Sequence, residues 1–127
     1  MTDEPFANVR YLVDDVPAAI AFYTTHLGFT LRSNPAPAFA DVVRGPLRLL
    51  LSAAGSSGAR ATPEQYADPG RNRVNLTVVD LDAEVDRLRA AGVPFASDVV
   101  SGPGGRQALV ADPAGNLVEL FEPAAGA

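Results

Sequence analysis

The sequence predicts an α+β domain made of two tandem β-α-β-β-β modules that form cupped mixed sheets, and three observations support this fold class. Hydrophobic residues alternate in several short runs and follow a helical period in two others. The order of elements occurs twice, because Val9 falls on Val74 and Asp15 on Asp80 at an offset of 65 residues. The length of 127 residues suits one domain that holds both modules.

The first module is predicted to contain four strands and one helix. Its first strand alternates and places Val9, Tyr11 and Val13 on one face. The helix covers residues 18–26, since Asp15 can cap its start and a glycine follows its end. The strands are expected at residues 8–13, 29–32, 39–44 and 47–52, with a turn over 33–37.

The second module repeats this pattern. Its first strand places Val74, Leu76 and Val78 on one face, and its helix begins after Asp80 and ends at Gly92. The strands are expected at residues 73–78, 107–111 and 117–121, with a short extended segment at 93–96 and a loop over 99–105.

One domain is predicted over residues 1–127. Its first module covers about 5–55 and its second about 72–123, and a linker of about 56–71 joins them. The linker is rich in small residues and proline. A connection of this length inside a compact domain is often a lid or a binding loop, although a passive connection is the alternative.

Each helix is expected to cover the apolar face of its sheet and to leave a second, concave face. That face mixes polar and apolar side chains, which is typical of a small-molecule site. In the first module it is predicted to carry Asn8, Arg10, Leu12, Leu47, Leu49 and Leu51. In the second module it is predicted to carry Arg73, Asn75, Thr77, Leu117, Glu119 and Phe121.

Glu119 is the central candidate of this face, and it is also the one candidate catalytic residue. A carboxylate between Leu117 and Phe121 is costly unless it meets a cation, a metal ion or a ligand. Arg73 can supply the cation. Two interpretations stay open, an ion pair that only fills the site and an anchor for a ligand. The predicted ligand-binding residues are Asn8, Arg10, Leu49, Arg73, Asn75, Leu117, Glu119 and Phe121.

Composition excludes several kinds of chemistry. The chain has no cysteine and no lysine and only one histidine, which excludes disulfides, thiolate nucleophiles, lysine Schiff bases and metal sites with two or three histidines. A net charge of −5 disfavours nucleic acid and anionic membranes and mildly favours a cationic or neutral small ligand. Without a signal peptide pattern or a long apolar run, the expected location is the cytoplasm.

Six segments carry a resemblance to a known family. They are Val-Asp-Asp-Val at 13–16, Ala-Phe-Tyr at 21–23, Leu-Gly-Phe at 27–29, Val-Asp-Leu-Asp at 79–82, Leu-Arg-Ala-Ala-Gly-Val at 88–93 and Asp-Pro-Ala-Gly-Asn-Leu-Val-Glu-Leu at 112–120. Together they resemble the glyoxalase/bleomycin-resistance/extradiol-dioxygenase group, also called the vicinal oxygen chelate superfamily. The resemblance covers nearly the whole chain. It implies the fold more specifically than the function, because the fold hosts lyases, isomerases, dioxygenases, drug-modifying transferases and binding proteins.

Metal-dependent members of this family place four ligands on the concave face. By position, the resemblance assigns these places to Asn8, Leu49, Arg73 and Glu119. Only Glu119 is a good ligand for a divalent ion, whereas a catalytic metal normally needs about three protein ligands. We therefore expect no metal site and no cofactor.

The first hypothesis is a metal-free protein that binds a small organic, drug-like and cationic molecule. The drug-binding branch implies a link to antibiotic resistance and a homodimer that forms clefts between modules of two chains. The second hypothesis is a metal-dependent lyase, isomerase or dioxygenase that completes its site from the partner chain. The third is metal-free catalysis with Glu119 as general base, against which its pairing with Arg73 weighs. Whether the protein is an enzyme stays open, with binding favoured.

Overall fold

A computed structural model describes residues 6–125, so the predicted start of the first module near residue 5 lies outside the described residues. The first module contains β1 (Ala7–Leu12), α1 (Val16–His26), β2 (Thr30–Ala36), β3 (Phe39–Arg44) and β4 (Leu47–Ser52). The linker contains α2 (Ser57–Arg60) and a 3-10 turn (Glu64–Tyr66). The second module contains β5 (Arg73–Thr77), α3 (Leu81–Ala90), β6 (Val100–Gly102), β7 (Gly105–Ala111) and β8 (Leu117–Pro123).

Two four-stranded mixed sheets form the frame of the molecule. Their strand orders are β1-β4-β3-β2 and β5-β8-β7-β6, so the two modules have the same topology. In each sheet the first strand runs parallel to the last, and the remaining neighbours are antiparallel. The predicted α+β class and the duplicated module are therefore confirmed. No helix within residues 6–125 is long and apolar enough to cross a bilayer.

Aspartates cap the starts of both long helices as predicted, although α1 begins at Val16, two residues before the predicted start. The Asp15 carboxylate accepts a hydrogen bond from the Ala18 N–H at 3.0 Å, and Asp80 does the same for Ala83 at 3.1 Å. Each helix is followed by a glycine with positive φ, +74° at Gly28 and +79° at Gly92. These residues thus fix the helix ends in both modules.

Three local predictions differ from the structure. The expected turn over 33–37 belongs largely to β2, whose pairing with β3 shifts register twice around Ser33. The expected loop over 99–105 contains β6, which pairs with β7. The segment 93–96 contributes only a single bridge between Phe95 and Val110. Pairing with a neighbouring strand decides the conformation of such short segments, and their own sequence does not carry that information.

The helix-facing sides of the two sheets form the hydrophobic core. Tyr11 of β1 and Tyr23 of α1 are fully buried there and meet edge to face with ring centroids 6.1 Å apart. Leu49 and Leu51 of β4 are fully buried in the same core, and Leu47 packs against it. The prediction that these three leucines lie on the concave face was therefore wrong.

The error is a slip of one residue in the fourth strand. Val9 pairs with Leu49 in the first module, and Val74 pairs with Val118 in the second. The fourth strands therefore correspond at an offset of 69 residues, which aligns Leu50 and not Leu49 with Glu119, and a shift of one residue moves every side chain to the other face. The register differs because only two residues lie between the paired ends of β3 and β4, whereas five lie between those of β7 and β8.

The turn at residues 112–116 joins the modules. Asp112 accepts a hydrogen bond from the Tyr23 hydroxyl at 2.8 Å, and Asn116 donates from Nδ2 to the Leu12 carbonyl at 3.0 Å. The Tyr11 hydroxyl donates to the Leu117 carbonyl at 3.0 Å. Burial, reinforced by the charge of Asp112, raises the pKa of Tyr23, so its hydroxyl stays a donor. One of the six segments that carry the family resemblance, residues 112–120, thus also forms a contact between the two halves.

Candidate functional site

The concave side of the second sheet carries a polar triad. Arg73 donates to Glu119 Oε1 from both Nε, at 3.1 Å, and Nη2, at 2.8 Å. Asn75 donates from Nδ2 to Glu119 Oε2 at 2.9 Å. The strand register brings these three side chains together. In the parallel ladder of β5 and β8, Asn75 is paired with Glu119, and Arg73 is paired with Leu117, two residues before Glu119 on the same face. The ion pair expected from the shared face is present, although Arg73 engages only one oxygen of the carboxylate.

Exposure within the triad is unequal. The Glu119 side chain is 14% exposed, whereas that of Arg73 is 47% exposed. Leu117 and Phe121 flank Glu119 along β8 and are half-buried on the same face. Three N–H donors thus hold the carboxylate in place between two apolar side chains, and this makes it a pre-oriented polar group for a ligand.

The first sheet carries a second charged cluster on its concave side, which the sequence analysis missed. Asp41 of β3 is fully buried and accepts hydrogen bonds from Ser33 at 2.5 Å, from Arg48 Nε at 2.7 Å and from Arg32 Nη1 at 3.1 Å. A carboxylate in the middle of an apolar strand was the available signal. Its partners could not be named because they depend on the bulge in β2 and on the β3–β4 register.

The electrostatics of Asp41 follow from this cluster. Burial by itself raises the pKa of the carboxyl group, but the hydrogen bonds from Ser33 and Arg48 and the charge of Arg48 outweigh burial, so the pKa of Asp41 is lowered. Arg48 is 25% exposed and Arg32 is 42% exposed, so both guanidinium groups also reach solvent on the concave side. Asp41 therefore holds two arginines in position in its ionised form.

Arg10 lies beneath the linker on the same side. It donates to the Ser52 hydroxyl at 2.9 Å, and Gly58 of α2 packs against its guanidinium so closely that a Cβ at position 58 would clash. A cavity of about 410 Å³ opens here, lined by Arg10 and Arg60 and by Phe39 of β3. The linker thus folds over part of the concave face of the first module.

The predicted site residues fall into two groups and one outlier. The first group, Arg73, Asn75, Leu117, Glu119 and Phe121, shares the concave side of the second sheet. The second group, Asn8 and Arg10, lies on β1 of the first sheet, where Asn8 is paired with Arg48 and Arg10 with Leu50. Leu49 is the outlier, because it is buried on the helix-facing side.

The side chains at the family's metal positions do not fit a divalent ion. Glu119 has an oxygen to offer, but the guanidinium of Arg73 already occupies that oxygen and brings a positive charge to the place of the metal. In the observed register, Leu50 and not Leu49 lies at the position in β4 that corresponds to Glu119 in β8. A leucine at this position has no atom that could bind a metal ion. Within residues 6–125 no three His, Cys, Asp or Glu side chains are grouped as a metal site would require.

Comparisons with known proteins agree on the fold. TnmS3, an antibiotic binding protein from Streptomyces sp. CB03234, is 28% identical, with 98% of this chain and 99% of that chain covered and a TM-score of 0.77. A lactoylglutathione lyase from Agrobacterium tumefaciens is 25% identical, with 92% of each chain covered and a TM-score of 0.76. A protein of unknown role from Mycolicibacterium smegmatis is 28% identical over 123 residues, which cover 97% of both chains.

The family model described as the Glyoxalase/Bleomycin resistance protein/Dioxygenase superfamily matches residues 6–120. This range spans both modules and contains both charged clusters of the concave side. With the duplicated topology and the motif at 112–120, it leads to one conclusion: the chain belongs to the glyoxalase/bleomycin resistance protein/dioxygenase superfamily.

Proposed function

We propose that this protein binds a small organic molecule on the concave side of its sheets and does so without a bound metal ion. The observation that carries the proposal is the state of Glu119, whose two oxygens are held by Arg73 and Asn75. A carboxylate fixed in this way can orient a ligand that lies against Leu117 and Phe121, but it is poorly suited to complete a metal site. The similarity to the antibiotic-binding TnmS3 supports a binding role of the same general kind.

Glu119→Gln is expected to weaken ligand binding about ten-fold or more, because the substitution removes a charged acceptor and keeps the shape of the side chain. Thermal shift and calorimetry with a compound library, which includes polycyclic antibiotics, would measure this. Glu84→Gln is a matched control, since Glu84 also pairs with an arginine but lies on α3. A Glu119→Gln protein that binds every hit as tightly as the wild type would remove Glu119 from the site.

A second candidate function is a lyase or isomerase, which the similarity to a lactoylglutathione lyase favours. In that case the metal would need ligands from a partner chain, or Glu119 would act as a base without metal. Protein purified without tags or chelators and incubated with Zn, Ni, Mn or Fe(II) is expected to retain less than about a tenth of an equivalent, given the ligands present. Retention near one equivalent by mass spectrometry would favour the enzyme and contradict the metal-free proposal.

The proposal includes a homodimer, which the family resemblance implies, and a cytoplasmic location. In such a dimer, the concave side of one chain would be closed by a module of the other. Sedimentation equilibrium tests this part separately, and a monomer at micromolar concentration would confine the binding site to a single chain.

A further inference from the structure

We propose that the cavity between β1 and the linker binds the carboxylate of an aromatic or otherwise apolar organic acid. This inference rests on the proposed function and specifies the charge of its ligand. The net charge of −5 leads us to expect a cationic or neutral ligand, whereas this inference names an anionic one. The reason is that the concave side carries an excess of positive charge although the chain as a whole is acidic.

Arginine predominates on the concave side. The strands bring four arginines there, Arg10, Arg32, Arg48 and Arg73, against the two carboxylates of Asp41 and Glu119. These six side chains leave an excess of two positive charges. A concave surface with low-dielectric walls concentrates such a field, so a small anion is attracted to this side of an acidic protein.

Two cations line the cavity, and no carboxylate of the described residues pairs with either of them. Among residues 6–125 neither Arg10 nor Arg60 has an Asp or Glu oxygen within 4.0 Å, whereas seven other arginines do. Within the described part of the chain, the one side-chain hydrogen bond of Arg10 goes to the neutral hydroxyl of Ser52. Both guanidinium groups line the same cavity and keep donors for a ligand oxygen.

The other walls suit an apolar body. Phe39, Pro35 and Ala36 line the cavity opposite the linker, and its volume of about 410 Å³ falls within the range typical of small-molecule sites. Arg10 also lines a neighbouring cavity of about 310 Å³ that is bounded by Tyr66 and Leu12. This second cavity is also lined by Thr62, Arg71 and Asn72, so the apolar body of an acid bound at Arg10 fits best beside Phe39 in the first cavity.

The close packing of Gly58 offers an unusually selective perturbation. Gly58 lies in α2 with ordinary helical backbone, so alanine is compatible with its conformation. The added methyl group would meet the guanidinium of Arg10 and displace this flexible side chain from Ser52. Gly58→Ala thus moves the cation of the site without changing any charge.

The test compares 2-naphthoate, 2-naphthamide and 2-naphthylmethylammonium by calorimetry at pH 7.5 and low ionic strength. Naphthoate is expected to bind about ten-fold more tightly than the neutral amide, and its affinity should fall as salt is added. Arg10→Gln, Arg60→Gln and Gly58→Ala should each lower the affinity for naphthoate far more than the affinity for the amide, and so remove most of this preference. Arg44→Gln is the matched control, because Arg44 also lacks a carboxylate partner among residues 6–125 but lines a cavity beside α1 and α3.

Three outcomes would overturn the inference: equal affinity for the carboxylate and the amide, tighter binding of the ammonium compound, or no effect of the Arg10 and Arg60 substitutions. Absence of binding by all three probes would overturn it as well. The library screen with Glu119→Gln is independent of these probes. Hits there that depend on Glu119 would preserve the proposed binding function even if the acid-binding cavity fails.

Discussion

Asp112→Ala is expected to lower the free energy of unfolding by about 3–5 kcal/mol, since several buried donors lose their acceptor together. Asp112 is 4% exposed and accepts from the Tyr23 hydroxyl, from the backbone N–H groups of Ala114 and Asn116, and from Asn116 Nδ2. The loss would also loosen the junction of the modules, because Tyr23 belongs to α1 and Asn116 bonds to β1. Urea unfolding at pH 7 measures the change.

The controls separate the junction from a general loss of charge. Tyr23→Phe removes one of the four hydrogen bonds and should cost about 1 kcal/mol. Asp98→Ala should leave the unfolding midpoint unchanged, since this carboxylate is fully exposed and 3.9 Å from its arginine. If Asp112→Ala unfolds at the same urea concentration as Asp98→Ala, the turn at 112–116 does not hold the modules together.

Asp41→Asn is expected to lower the free energy of unfolding by about 2–3 kcal/mol, because two arginines lose their counter-charge. Both arginines are partly solvated, and this limits the loss. Arg48 is 25% exposed and Arg32 is 42% exposed, which keeps the penalty below that of a fully buried pair. Urea unfolding at pH 7 again gives the size. Asp82→Asn breaks the exposed pair with Arg106 and should change stability little.

The pH dependence of the stability difference between wild type and Asp41→Asn tests whether the charge of Asp41 causes it. Its pKa is lowered in the folded protein, so the ionised group stabilises the fold above the unfolded pKa of about 3.9, and this contribution disappears as pH falls through the folded value. The difference between wild type and Asp41→Asn should therefore be full above about pH 5 and should shrink at lower pH. A difference that is constant from pH 7 to pH 3 would contradict the role of the charge.

Local sequence was sufficient wherever a residue acts on its own neighbours. Asp15 and Asp80 fix helix starts through hydrogen bonds three residues away, and every strand from β1 to β8 except β6 overlaps a predicted strand. The pairing of Arg73 with Glu119 was also predicted, because the faces of β5 and β8 were assigned correctly and the family resemblance implied that these two strands lie side by side. The hydrogen bond from Asn75 to Glu119 was not predicted. The helix starts require only local capping, whereas the contact between Arg73 and Glu119 also requires the pairing of β5 with β8.

The remaining features depend on how the strands pair and on where the linker folds. The sheet face on which Leu49 lies depends on the register of β4, and a shift of one residue changes it. The length of the turn between β3 and β4 sets this register, and composition does not reveal it. The cluster at Asp41 needs a bulge in β2, and the cavity at Arg10 needs Gly58 to lie over a strand almost fifty residues earlier in the chain. The sequence by itself determined the duplicated modules and the position of Glu119 through local periodicity. Only the tertiary structure decided which charges line the concave side, because that depends on contacts between residues far apart in the chain.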